Sequence, residues 1–162
     1  MLGYRSIGER ELLFLINSHN PVYGQSILSN YIGCGCNKTK YGMICFFKEP
    51  YKWRDSSHKF DIVVNLNNNN VEEGIATYMA SKDFGKTKIW TGKTGKTEYK
   101  INELYTRFYN PEDIIELDIG ANYTDDYILN RVIPFCKEFH ITLIRKVYDF
   151  KKQKHETYYL RF

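Results

Sequence analysis

Short apolar runs of strand length recur along this chain, with only a few stretches of helical spacing between them. Tyr41-Gly-Met-Ile-Cys-Phe-Phe47 is a continuous apolar run that stops at Lys48-Glu49-Pro50, and Lys59 to Leu66 is rich in β-branched residues. Both read as strands. Ile114 to Ile119 alternates apolar and acidic residues, which predicts a half-exposed strand, and His140 to Phe150 and His155 to Phe162 predict a hairpin across the turn Lys151 to Lys154. A composition with 14 Tyr and 10 Phe supports this, because both side chains favour pleated, half-buried surfaces. Strands outnumber helices and do not alternate with them regularly. The expected fold class is therefore α+β, with a mainly antiparallel twisted sheet and two or three helices.

Helical signals are fewer. Gly3-Tyr4-Arg5 is a short extended start, and Ser6-Ile-Gly-Glu9 spells a capping box before Leu12, Leu13, Leu15 and Ile16 recur at helical spacing. Asn20-Pro21 stops that helix. Val71 to Lys82 carries a weaker helical pattern through Ile75, Tyr78 and Met79. Asn110-Pro-Glu-Asp reads as a capped turn, and a second clear helix runs from about Thr124 to Phe139, bent at Pro134. At 162 residues, without repeats or a long linker, the chain is expected to form one domain. Residues 120–162 would be a helix and hairpin appended to its core.

Charge and cysteines exclude little. The formal net charge of +4 weakly favours anionic partners without establishing nucleic-acid binding. The cysteines are Cys34, Cys36, Cys45 and Cys136, and Cys34-Gly-Cys36 is half of a zinc pattern whose other half is missing, so no metal is expected. No apolar stretch approaches the ~18 residues of a membrane span, and nothing reads as an export signal, so the expected location is cytoplasmic.

Three constellations carry chemistry. The segment 84–97 holds Lys86, Lys88, Lys93 and Lys96 among glycines, with Trp90 and no acid. Its three G-K-T triplets lack the glycine a phosphate-binding P-loop needs five residues earlier, where Ala80, Thr87 and Trp90 stand instead. Two H-x-T triplets, His140-Ile-Thr142 and His155-Glu-Thr157, invoke the two-histidine phosphoesterases. The predicted hairpin sets the histidines at opposite ends, too far apart to share one phosphate.

The third is spread over residues 3–119: Tyr4-Arg5 on the first strand, the capped helix, the aromatic strand ending Phe46-Phe47, a polar loop running into Glu98-Tyr-Lys-Ile101, then Pro111 to Ile119. This order resembles the small ADP-ribosyltransferase fold, at the level of layout and spacing. The resemblance implies an enzyme that takes NAD⁺ and modifies a macromolecular acceptor, protein or nucleic acid. Arg5 would clamp the pyrophosphate bidentately, with Tyr4 beside it. Tyr41, Phe46 or Phe47 would pack on the nicotinamide. Glu98 would stabilise the oxocarbenium-like ribose. The acceptor would meet Lys86, Lys88, Trp90, Lys93 and Lys96. The chain has no S-T-S triplet, and Lys96 stands where arginine-modifying members carry a second acid, so modification of protein arginine is not implied. The alternative is a non-enzymatic binding protein that uses its tyrosines and basic loop. The two differ in geometry: an enzyme needs Arg5 and Glu98 facing each other across a cleft, whereas a binding module presents a contiguous surface patch.

Overall fold

Among the described residues eight strands form one sheet, with the helices Glu9–Ser18 and Asp126–Glu138 packed on a single face, and that layering decides which side chains are available for chemistry. The computed structural model describes residues 1–25, 42–50, 60–81, 96–120, 126–149, 151–152 and 154–160. In chain order the elements are β1 (Leu2–Ile7), α1 (Glu9–Ser18), β2 (Val22–Tyr23), β3 (Ile44–Phe47), β4 (Phe60–Asn65), β5 (Glu72–Ser81), β6 (Lys96–Thr106), β7 (Phe108–Tyr109), β8 (Ile114–Asp118), α2 (Asp126–Glu138), β9 (Thr142–Asp149) and β10 (Lys154–Tyr159). The sheet order is β10-β9-β8-β4-β1-β3-β6-β5, and β2 and β7 make a separate two-stranded ribbon. Among the described strands only β8 and β9 run parallel, joined through α2 as a parallel crossover requires. The fold is α+β with a mostly antiparallel sheet, as the strand-rich pattern predicts. The C-terminal helix and hairpin extend the same sheet.

The core lies between the sheet and the helices. Leu12, Leu15 and Ile16 of α1 and Ile128, Val132 and Phe135 of α2 pack with Ile7, Phe46, Ile62, Val64, Leu104 and Leu117 from the strands. Along β4 the burial alternates, with Phe60, Ile62 and Val64 inward, so Asp61, Val63 and Asn65 turn to the other face. Gly3 sits where β1 crosses the core: a Cβ there would lie 2.7 Å from Leu66 and 2.8 Å from Phe46.

Three local expectations fail for identifiable reasons. Residues 72–81 are a strand, because β6 offers a pairing partner along their whole length, from Glu72↔Tyr105 to Ser81↔Lys96. Ile75 is 67% exposed and heads no helical stripe. A tertiary ladder outweighs a weak 3.6-residue pattern. The capping box does not form: α1 takes Gly8 as its N-cap with no side-chain bond, and Ser6 instead donates from β1 to Asp61 of β4. The strand predicted at Glu98–Ile101 runs on to Thr106. The C-terminal hairpin pairs His155 with Tyr148, so Thr142 lies six residues up the ladder, about 20 Å away, and the two H-x-T triplets do not meet.

Candidate active site

The sheet comes apart at its centre. Among the described residues β1 and β3 share one pairing, Tyr4↔Phe47. Beyond it β1 stays with β4 through Arg5, Ser6 and Ile7, while β3 stays with β6 through Phe46, Cys45 and Ile44. Backbone groups that would have joined the two strands must find other partners. The carbonyl of Cys45, facing β1, takes a hydrogen bond from Arg5 Nη1 at 3.1 Å.

Arg5 therefore closes the parting from the helix side. Its Nη2 donates to Glu11 Oε1 at 3.0 Å and to Oε2 at 3.2 Å, and its Nε donates to Oε1 at 3.3 Å. The two side chains are 4% and 0% exposed. Burial acts to lower the Arg5 pKa, but the charge and hydrogen bonds of Glu11 outweigh it and hold the guanidinium above its ordinary value. Tyr109 completes this buried group. Its pKa lies well above the usual tyrosine value, first through burial and then through the charge of Glu11, with Arg5 opposing. Its ring meets Phe46 edge-on, centroids 5.6 Å apart.

The face turned away from the helices is polar around the same parting. Strand alternation places Tyr4, Ser6, Cys45, Phe47, Asp61, Glu103 and Tyr105 on it. Glu103 of β6 pairs with Phe47 of β3, which pairs with Tyr4 of β1, so one line across three strands carries a carboxylate and two half-buried rings. Glu103 is only 2% exposed. Its Oε2 accepts from the Cys45 thiol at 2.6 Å. On its other side it pairs with Gly74 of β5, over which the Tyr105 ring lies: a Cβ at Gly74 would meet that ring at 2.7 Å. Next along β1, the Ser6 hydroxyl is bound to Asp61.

The residues singled out in the sequence distribute unevenly. Tyr4 and Phe47 stand together at the parting, and Phe46 points into the core, 0% exposed. Arg5 is beside them but on the helix face, its guanidinium committed to Glu11 and Cys45, which corrects the expectation of an open pyrophosphate clamp. Glu98 pairs through its backbone with Met79, five residues before Glu103 on β6. That displacement is about 17 Å along the strand, with two strands to cross besides, so Arg5 and Glu98 are not set facing each other. Lys96 begins β6. Tyr41, Lys86, Lys88, Trp90, Lys93, Cys34 and Cys36 lie outside the described residues.

Glu103 is the residue the sequence reading missed. Ending the strand at Ile101 hides it. Carrying the strand through Leu104, Tyr105 and Thr106, all of them good strand formers or core residues, puts Glu103 and Tyr105 on one face by period two.

Comparison of the chain with protein-family models, with curated proteins and with solved structures returns no match. No helix among the described residues is long and apolar enough to cross a membrane.

Proposed function

We propose that the chain is an NAD⁺-dependent ADP-ribosyltransferase acting on a macromolecular acceptor, with Glu103 instead of Glu98 as the carboxylate beside the reacting ribose. The observation that carries this reading is the line Glu103–Phe47–Tyr4 at the point where β1 and β3 separate. Arginine-bearing first strand, following helix, aromatic strand and glutamate-bearing late strand are the sequence layout that resembles this family. Here they lie side by side, β1 next to β3 and β3 next to β6.

The residues suit the substrate. Cleaving the bond from ribose to nicotinamide develops positive charge on the sugar, and a carboxylate held in a shielded place stabilises that charge strongly. Glu103, almost fully buried, is such a group, and its Oε2 accepts from the Cys45 thiol. The half-buried rings of Tyr4 and Phe47 offer flat apolar surface for nicotinamide. Arg5 acts as a strut that fixes the parting. The acceptor is assigned to the basic segment with Lys86, Lys88, Trp90, Lys93 and Lys96, whose charge suits an anionic surface.

NAD⁺ titration tests this. Binding should raise the melting temperature of the native chain, with the rise reduced by Tyr4→Ala or Phe47→Ala and unaffected by Glu98→Gln. No NAD⁺-dependent rise in the native chain would overturn the reading. The competing reading, a non-enzymatic binding protein, rests on Tyr158 and Tyr159, 52% and 62% exposed on the edge strand β10.

A further inference from the structure

We infer that β10 is a self-complementary edge at which two copies of this chain pair antiparallel, joining their sheets into one. The inference rests on the C-terminal hairpin alone and is independent of the proposed chemistry. β10 stands at one end of the sheet order, and among the described residues β9 is its one strand neighbour. Such an edge presents a row of backbone donors and acceptors that another strand can take up.

The structure fixes which groups form that row. Leu160 N donates to the Leu143 carbonyl at 2.9 Å, and this contact continues the register in which Tyr159 lies opposite Ile144. Bonded pairs alternate along an antiparallel ladder, so residues 154, 156, 158 and 160 turn their backbone groups to β9. His155, Thr157 and Tyr159 turn theirs outward. Natural edges are guarded by proline or a bulge, and β10 has no proline and keeps an unbroken register with β9 from Lys154 to Tyr159. Its surface is exposed as well: Thr157 lies open, and Tyr158 and Tyr159 are 52% and 62% exposed.

A second copy fits this row better than an arbitrary strand does. A twofold axis through Thr157 sets Thr157 against its own copy and His155 against Tyr159 on either side. Every outward residue then enters a bonded pair, and each such pair exchanges both of its backbone hydrogen bonds. The intervening positions also match. Glu156 falls opposite Tyr158 of the other copy, in a pair without backbone bonds, where side chains come closest. A phenol hydroxyl there donates to a carboxylate, and the symmetry makes the contact twice. Threonine opposite threonine is a favourable cross-strand pair too. Sliding the copies by one bonded step loses this fit. One direction sets Glu156 against Glu156, like charges directly opposite, and the other carries His155 beyond Leu160 of the second copy.

Sedimentation velocity of the full chain over a concentration series tests the pairing. The native chain should pass from monomer to dimer as concentration rises. Thr157→Lys and Thr157→Glu each set a charge against itself at the axis and should weaken dimerisation by more than about ten-fold, while an equimolar mixture of the two should recover it. A native chain that stays monomeric throughout overturns the inference and leaves the edge to an extended segment of another protein. A dimer unaffected by both substitutions overturns it by placing the interface elsewhere. Oxidation of cysteine variants tests the register. A bonded pair holds its Cα atoms about 5.5 Å apart, within disulfide reach, so Thr157→Cys should yield a covalent dimer beyond the level of the native chain. Tyr158→Cys, set opposite Glu156, should not. Equal crosslinking by the two variants, or none by Thr157→Cys, overturns the symmetric pairing.

Discussion

Removing Glu11 while keeping Arg5 should be among the most damaging single changes in this protein. Glu11→Leu deprives the buried Arg5 guanidinium of the Glu11 carboxylate. At the observed 3.0 Å, Coulomb's law with an effective permittivity near 20 gives roughly 5 kcal/mol for the pair. Breaking a buried pair by deleting one partner costs about 3–5 kcal/mol, because the remaining charge stays desolvated. With a urea slope of about 2 kcal/mol/M, the unfolding midpoint should fall by about 1.5–2.5 M. Arg5→Met with Glu11→Leu removes both charges and should recover part of that loss. What remains is the Cys45 carbonyl deprived of its donor, worth about 1–3 kcal/mol. Equilibrium urea unfolding by circular dichroism is the assay. A midpoint within about 0.5 M of the native value for Glu11→Leu, equivalent to about 1 kcal/mol, or a double variant less stable than the single one, would refute the account of Arg5 as a buried strut.

Further outcomes follow from other contacts. Gly74→Ala forces a methyl to within 2.7 Å of the Tyr105 ring, and overpacking of this kind should destabilise by about 1–3 kcal/mol in the same urea assay and displace the Tyr105 ring resonances; neither would occur if the ring lay elsewhere. Ser6→Ala should cost about 1 kcal/mol through the lost bond to Asp61 without loss of helical signal, since α1 is capped at Gly8; fraying of α1 would restore the capping-box reading. Burial raises the Cys136 thiol from its ordinary 9.0 to about 12, so the folded state keeps a proton that the unfolded chain releases. Its contribution is fully present below pH 9 and is lost as pH rises from 9 towards 12. Cys136→Ala should flatten the decline in urea stability across that window, and an unchanged slope would contradict it.

How much of this was legible in the sequence depended on how locally each feature was encoded. The strands β3, β4 and β8 and the helices α1 and α2 announce themselves by apolar runs and periodicity, because each buries a continuous stripe in one core. The strand nature of β5 is not local: Glu72-Glu-Gly-Ile-Ala acquires it from the long β6 ladder. The site shows the same division. Tyr4 and Phe47 meet where β1 pairs with β3. The inward turn of Arg5 is not a local feature, since it depends on Glu11 arriving beneath β1 once α1 folds back. Ser6 and Glu9 have capping-box spacing, but Asp61, 55 residues away, competes for the hydroxyl. A strand ending at Ile101 leaves Glu103 outside it, whereas β6 runs to Thr106. Which acidic residue on β6 reaches the parting is decided by the register with β3, which no periodicity within β6 reports.

The most direct test of the central claim is the time course of nicotinamide release from NAD⁺ by the purified chain, with its acceptor supplied as cell extract, beside Glu103→Gln and Glu98→Gln variants of unchanged melting temperature. Release by the native chain and by Glu98→Gln, but lost by at least about a hundred-fold in Glu103→Gln, is the predicted result, that being the scale at which a preorganised electrostatic group acts. Release that survives Glu103→Gln, or that disappears with Glu98→Gln, would contradict the assignment of the site to the parting of β1 and β3.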